Sequence, residues 1–237
     1  MKRNKLLLFL LLAVAAVVCS CHDDNEDVNA QSQTAAAQLK YTMGEDTILY
    51  AVDKGNGEAW ITYDHTNPLH LNSSNAAKIT TYVGKLVIPD TIIVNQIPYI
   101  ITGVDEMAFA NNNTLTSVTL PDTVRTFGEG AFVNCTALTT VNIPEGTQTI
   151  PSACFGQCKK IKELTLPSTI TTIGRLAFVN CSSLTKLHIK AATPPTTDPA
   201  AFTTTNLAKT TLYVPKDSKA LYEENEVWKQ CKAIKEE

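Results

Sequence analysis

Apolar side chains recur along this chain at a constant interval. Phe109, Phe132, Phe155 and Phe178 fall every 23 residues, and Leu115, Leu138, Ile161, Leu184 and Leu207 keep the same spacing. So do Val118, Val141, Leu164 and Leu187, then Leu120, Ile143, Leu166 and Ile189, then Val104, Phe127, Ile150 and Ile173. Polar Ser, Thr, Lys and Glu alternate with these columns. A segment of this length cannot bury its own apolar face, so a fixed period means stacked units that share one continuous core. The pattern predicts a solenoid of four to five rungs over residues 104–215.

Within each rung, Leu-x-x-Val-x-Leu-Pro reads as a short strand closed by Pro121, Pro144 or Pro167, where proline ends a ladder without interrupting it. Across the rung, Ala-Phe-x-x-Cys/Asn suits a single helical or 3₁₀ turn. Rungs about 4.8 Å apart would pile the Phe rings into a spine. Residues 38–103 depart from the period and read as an N-terminal β-hairpin cap. Thr47–Val52 and Glu58–Tyr63 alternate around Lys54-Gly55-Asn56-Gly57, predicting one hairpin, and Ile92–Val94 with Ile97–Thr102 predict another. Asp64–Ala77 reads as a loop, and Lys85–Pro89 restates the end of a rung strand. Beyond Ile189, Pro194, Pro195 and Pro199 break the pattern and Phe202 sits one residue out of register. Leu212–Val214 supplies a last strand. Residues 216–237 are expected to form a helical cap, started by Asp217 or Ser218, with Leu221, Trp228 and Ile234 on its apolar side.

Residues 1–20 carry Lys2, Arg3 and Lys5 ahead of an apolar run, Leu6–Val18, that is too short to span a bilayer comfortably. They read as a signal peptide. Ser20-Cys21 resembles the lipobox of bacterial lipoproteins, which implies acylation at Cys21 and a membrane contact through that lipid anchor only. Residues 21–37 read as an acidic tether. Its start, His22-Asp23-Asp24-Asn25-Glu26-Asp27, resembles the export signal of Bacteroidetes-type surface lipoproteins, which implies the outer membrane, lipid-anchored and surface-exposed, with the periplasmic face as the alternative. The formal charge of the whole chain is −3, so no basic excess recommends nucleic acid as a partner.

The columns, the AFxxC and LxxVxLP motifs and the closing VPKDSKALYEENEVWKQCKAI together resemble the BspA-like leucine-rich-repeat family of bacterial surface proteins. The resemblance covers about residues 78–237. It implies an α/β fold, a curved right-handed β/α leucine-rich-repeat solenoid, and a role in adhesion or host-protein binding.

Chemistry is scarce. Cys135, Cys158 and Cys181 keep the 23-residue period, and Cys154 takes the column of Ala108, Ala131 and Ala177; with Cys231 they read as reduced, buried residues. His65 and His70 lie in the polar loop, and no nucleophile, metal or phosphate motif is present, so neither catalysis, metal nor cofactor is expected. With the columns inward, alternation places Ser117 and Thr119, Thr140 and Asn142, Glu163 and Thr165, and Lys186 and His188 on the open, concave sheet face. Glu163 and Lys186 are expected to pair across rungs. This face is the candidate site for an extracellular or envelope protein. The alternatives are an accessory part of an outer-membrane complex, or a glycan-binding module using Trp60 or Tyr63. Aromatic residues are not expected on the concave columns.

Overall fold

Each 23-residue period makes one turn of a β-solenoid, and each turn has three sides. The computed structural model describes residues 37–43, 46–62 and 82–237. Its strands are β1 (Ala37–Met43), β2 (Asp46–Asp53), β3 (Glu58–Thr62), β4 (Gly84–Val87), β5 (Thr91–Val94), β6 (Ile97–Val104), β7 (Leu115–Thr119) and β8 (Thr126–Phe127). They continue with β9 (Thr140–Val141), β10 (Thr149–Ile150), β11 (Glu163–Leu166), β12 (Thr172–Ile173), β13 (Lys186–Ile189), β14 (Thr196–Thr197) and β15 (Thr211–Val214). The helix α1 (Lys219–Glu224) and the strand β16 (Ala233–Glu236) close the chain.

The first side is a parallel sheet of the longer strands, built in two parts, β4-β7-β9 and β11-β13-β15-β16. Its inward positions are the Leu/Val columns, all buried. The second side carries two-residue strands, with β8 against β6 and then β10-β12-β14. The third side was expected to hold a helical or 3₁₀ turn. It is instead a run of tight turns. Ala108 N–H donates to Asp105 O and Ala110 N–H to Met107 O, while the intervening Met107, Phe109 and Asn111 amides reach Glu129, Ala131 and Val133 of the next rung. Met107 and Asn111 hold φ near +57° and +61°, as Ala153, Gln157, Leu176 and Asn180 do in later rungs, and a continuous helix cannot contain such residues. The reversal turns alternate amides toward the neighbouring rung, so a ladder replaces the helix.

The core is the predicted spine. Phe109, Phe132, Phe155, Phe178 and Phe202 stack with centroid separations of 4.8, 5.3, 5.7 and 5.0 Å. Phe202 joins despite its shifted register. Tyr82 closes one end and Trp228 the other, each edge-on at 5.4 Å. Each buried ring removes about 150–250 Å² from water, and aromatic contact adds about 0.5–1.5 kcal/mol per pair.

Both expected hairpins form, β2 with β3 and β5 with β6. Ala37, placed in the tether by the sequence pattern, begins β1, an unanticipated strand antiparallel to β2. The helical cap is corrected. Only Lys219–Glu224 is α-helical, Trp228–Gln230 makes a 3₁₀ turn, and Ala233–Glu236 runs parallel to β15 as a further strand. Leu221 is half-exposed, whereas Trp228 is fully buried. A β15 edge inside the array would leave its amides unpaired, and β16 supplies their partners. Ser218 stands at the helix start but makes no side-chain cap bond.

Candidate binding face

Alternation along the longer strands sends every second side chain to the outer face of that sheet. Register puts Lys85, Ser117, Thr140, Glu163, Lys186, Thr211 and Ala233 on one line and Val87, Thr119, Asn142, Thr165, His188, Tyr213 and Lys235 on the next. The eight candidate residues therefore share one surface, though not one role. Ser117 and His188 are half-buried; Thr119, Thr140, Asn142, Glu163, Thr165 and Lys186 are exposed.

Asn142 is committed to the fold. Its Oδ1 accepts from Leu120 N–H at 2.7 Å and its Nδ2 donates to Leu120 O at 2.8 Å, so the amide stands in for a missing ladder pair between β9 and β7. The polar centre lies toward the C-terminal end. The expected cross-rung pair forms, with Lys186 Nζ 3.3 Å from Glu163 Oε2; both side chains are half-exposed, which keeps its worth to about 0–1 kcal/mol. His188 Nε2 lies 3.3 Å from Glu163 Oε1, off the hydrogen-bond direction, and its Nδ1 meets the Glu237 carboxylate at 2.9 Å. The imidazole stacks on Tyr213, with centroids 4.5 Å apart and planes 6° apart. Tyr213 corrects the expectation that no aromatic residue occupies these columns. The LYVP stretch already held the signal, because Leu212 and Val214 face inward. Glu237 had no signal, since reaching His188 depends on β16. Cys21, Tyr63, His65 and His70 lie outside the described residues.

The cysteines belong to the interior. Cys135, Cys158 and Cys181 donate their S–H to the carbonyls of Phe109, Phe132 and Phe155 at 3.0, 3.2 and 3.1 Å. In the last rung Thr205 does the same to Phe178 O at 2.6 Å, and in the first Asn112 takes the column and accepts from Leu115 N–H at 3.0 Å. The column thus selects a small side chain able to hydrogen-bond locally. Burial pushes Cys135 and Cys181 up to about 12, and Cys154 and Cys158 well above the ordinary thiol range, which keeps all four protonated. All five cysteines among the described residues are free, and no group of three metal-ligating side chains comes together there. No helix among the described residues is long and apolar enough to cross a membrane.

A family model described as the BspA type leucine rich repeat region matches residues 95–235 in six copies. No curated protein matches the chain in sequence. Among solved structures it is similar to the T. pallidum leucine-rich-repeat protein TpLRR, with a TM-score of 0.58, 18% identity, 79% of this chain and 78% of that one. It is also similar to the pneumococcal vaccine antigen PcpA, with a TM-score of 0.51, 14% identity, and 79% and 52% coverage. A leucine-rich-repeat protein of Bacteroides ovatus follows, at 0.50, 21% identity, and 74% and 48% coverage. The chain spans about half the length of the latter two. At these identities the likeness is one of fold.

Proposed function

The chain belongs to the BspA-type leucine-rich-repeat family, and on that premise we propose a non-catalytic module that binds an extracellular or envelope protein through the outer face of its longer-strand sheet. One observation carries this reading. Glu163, Lys186, His188 and Tyr213 project together from adjacent, hydrogen-bonded strands, giving charge of both signs and an aromatic ring on a rigid support. Interfaces take aromatic anchors ringed by polar groups.

Size sets the mode of binding. Seven strands about 4.8 Å apart and four residues wide offer roughly 450 Å². A stable interface uses about 800 Å² per partner. The face binds weakly by itself and gains from many copies held at one surface. Lipid anchorage at Cys21, with display at the outer membrane, supplies that arrangement. In a pull-down with the mature chain, the triple replacement Glu163→Ala, Lys186→Ala, His188→Ala should lower capture of the partner at least about tenfold. Unchanged capture removes this face from the reading. Cys21→Ala should abolish acyl labelling and move the protein to the soluble fraction; labelling that persists places the anchor elsewhere.

A further inference from the structure

The second side of the solenoid carries a different set of groups, and they lie away from the face just described. Trp60, Gly103 and Thr126 are neighbours across β3, β6 and β8. A Cβ on Gly103 would stand 2.4 Å from Trp60 Cδ1 and 2.5 Å from Thr126 Oγ1, so only glycine leaves room for the indole edge and the hydroxyl to meet there. One rung on, the Arg125 side chain crosses Gly146 in the same manner, with Cδ and Nε 2.6 and 2.7 Å from where a Cβ would be. Arg125 Nη1 donates to Asp122 O and to Val124 O, which pins the guanidinium. Arg125, Thr126, Gln148 and Thr149 line an open groove of about 410 Å³.

Arg125 is thus part of the groove wall, and the half-buried Trp60 stands just outside it, beside Thr126 over Gly103. The other polar groups of the groove are uncommitted. The Thr126 and Thr149 hydroxyls and the Gln148 amide bond no other group among the described residues, and all three residues are exposed. The indole offers a flat apolar surface with a polar edge, which suits the C–H face of a sugar ring. Hydroxyls and a primary amide suit sugar hydroxyls, and the forked guanidinium suits a carboxylate or sulfate. Because both planar groups are already fixed by the backbone beneath them, little side-chain freedom is lost on binding. The longer-strand face lacks this combination, since its aromatic ring is stacked on His188 and its charges are paired with one another.

We propose that this groove is a second binding site, for a saccharide bearing a carboxylate or sulfate group, with Arg125 holding the acidic group and Trp60, next to the groove at Thr126, stacking on one sugar ring. The site is independent of the protein-binding face. It is shallow and open, and binds weakly.

The test is tryptophan fluorescence of the full chain in detergent, titrated with tetragalacturonate, with neutral β-1,4-galactotetraose and with inorganic sulfate. The protein has two tryptophans, and Trp228 is fully buried, so a ligand-induced change reports Trp60. Tetragalacturonate should give a saturable change and bind about tenfold more tightly than the neutral tetramer. Arg125→Gln should erase that preference, and Gln148→Ala should weaken both sugars several-fold. Trp60→Ala, read by calorimetry, should lose at least about tenfold. Arg125 and Gln148 are exposed, so their replacement leaves the fold intact even where loss of Trp60 disturbs the N-terminal sheet. The Glu163→Ala, Lys186→Ala, His188→Ala variant should bind the acidic sugar as the parent does. Three outcomes overturn the proposal: no saturable response to either tetramer, binding unaffected by Arg125→Gln and Gln148→Ala, or inorganic sulfate alone reproducing the full response.

Discussion

The middle rungs and the last rung solve the same packing problem with different residues. Around Phe132 and Phe155 most buried positions repeat their neighbour's solution: ring on ring, thiol on carbonyl, aliphatic on aliphatic. At the C-terminal end the period fails and bespoke residues take over. Thr205 replaces the thiol, Phe202 stacks from a shifted register, Trp228 closes the spine, and Tyr222 donates to Ala191 O at 2.8 Å. An interior rung is covered on both sides by copies of itself. A terminal rung has a copy on one side only and needs groups that no repeat supplies.

Breaking the middle should cost most. Phe155→Ala removes a ring stacked on both faces and should lower stability by about 3–5 kcal/mol, seen as loss of protection from hydrogen exchange across the whole array. Trp228→Ala removes a ring of similar size that contacts the spine on one side. Its effect should stay local, with exchange accelerating in residues 207–237 while the strands from 115 to 189 keep their protection. Uniform loss across the array in that variant would erase the distinction between centre and end.

The thiol column sharpens the contrast through pH. Cys135 and Cys181 are held neutral up to about 12 in the fold, with Cys154 and Cys158 shifted the same way, whereas an unfolded thiol ionises near its ordinary value of 9.0. Stability from these residues is complete below pH 9 and is lost as pH rises toward 12, because the unfolded chain then releases protons that the fold retains. Denaturant melts between pH 8 and 11 should show this loss, and Cys135→Ser with Cys181→Ser should reduce it, the remainder belonging to the thiols left in place. At a single position, Cys158→Ser keeps a donor for Phe132 O, as Thr205 does for Phe178 O, and should stay within about 1 kcal/mol of the parent. Cys158→Ala removes the donor and should lose about 1–3 kcal/mol; equal losses would mean that the hydrogen bond is incidental to the column.

The smallest effect belongs to a surface pair between rungs. Glu145 has its carboxyl lowered: slight burial acts to raise it, but the Ser168 hydroxyl and amide and Lys190 outweigh that. The stabilisation is present above the ordinary carboxylate range and lost as pH falls through it. Glu145→Gln should remove less than about 1 kcal/mol at neutral pH and nothing measurable in acid.

How much could be read beforehand follows the same division. The Phe, Leu and Val columns announced the rungs because burial on a stacked array acts at equivalent positions, so periodicity in sequence becomes contact in space. Cys135, Cys158 and Cys181 announced their burial by keeping the period. Four pairs of face residues followed from alternation alone, and Glu163 with Lys186 met as their spacing required. Where each rung repeats the last, one dimension of sequence is enough.

Only the folded chain decided the rest. Residues 216–237 carry helix-like spacing, yet the unpaired β15 edge draws Ala233–Glu236 into the sheet and so brings Glu237 to His188. The 23-residue period sets Gly103 beside Thr126, but neither it nor alternation could place Trp60 over Gly103, because β3 lies in the cap outside the repeat. Local pattern is set by which side chains must leave water; a site assembled from distant strands is set by which backbones end up as neighbours, and that is a property of the whole fold.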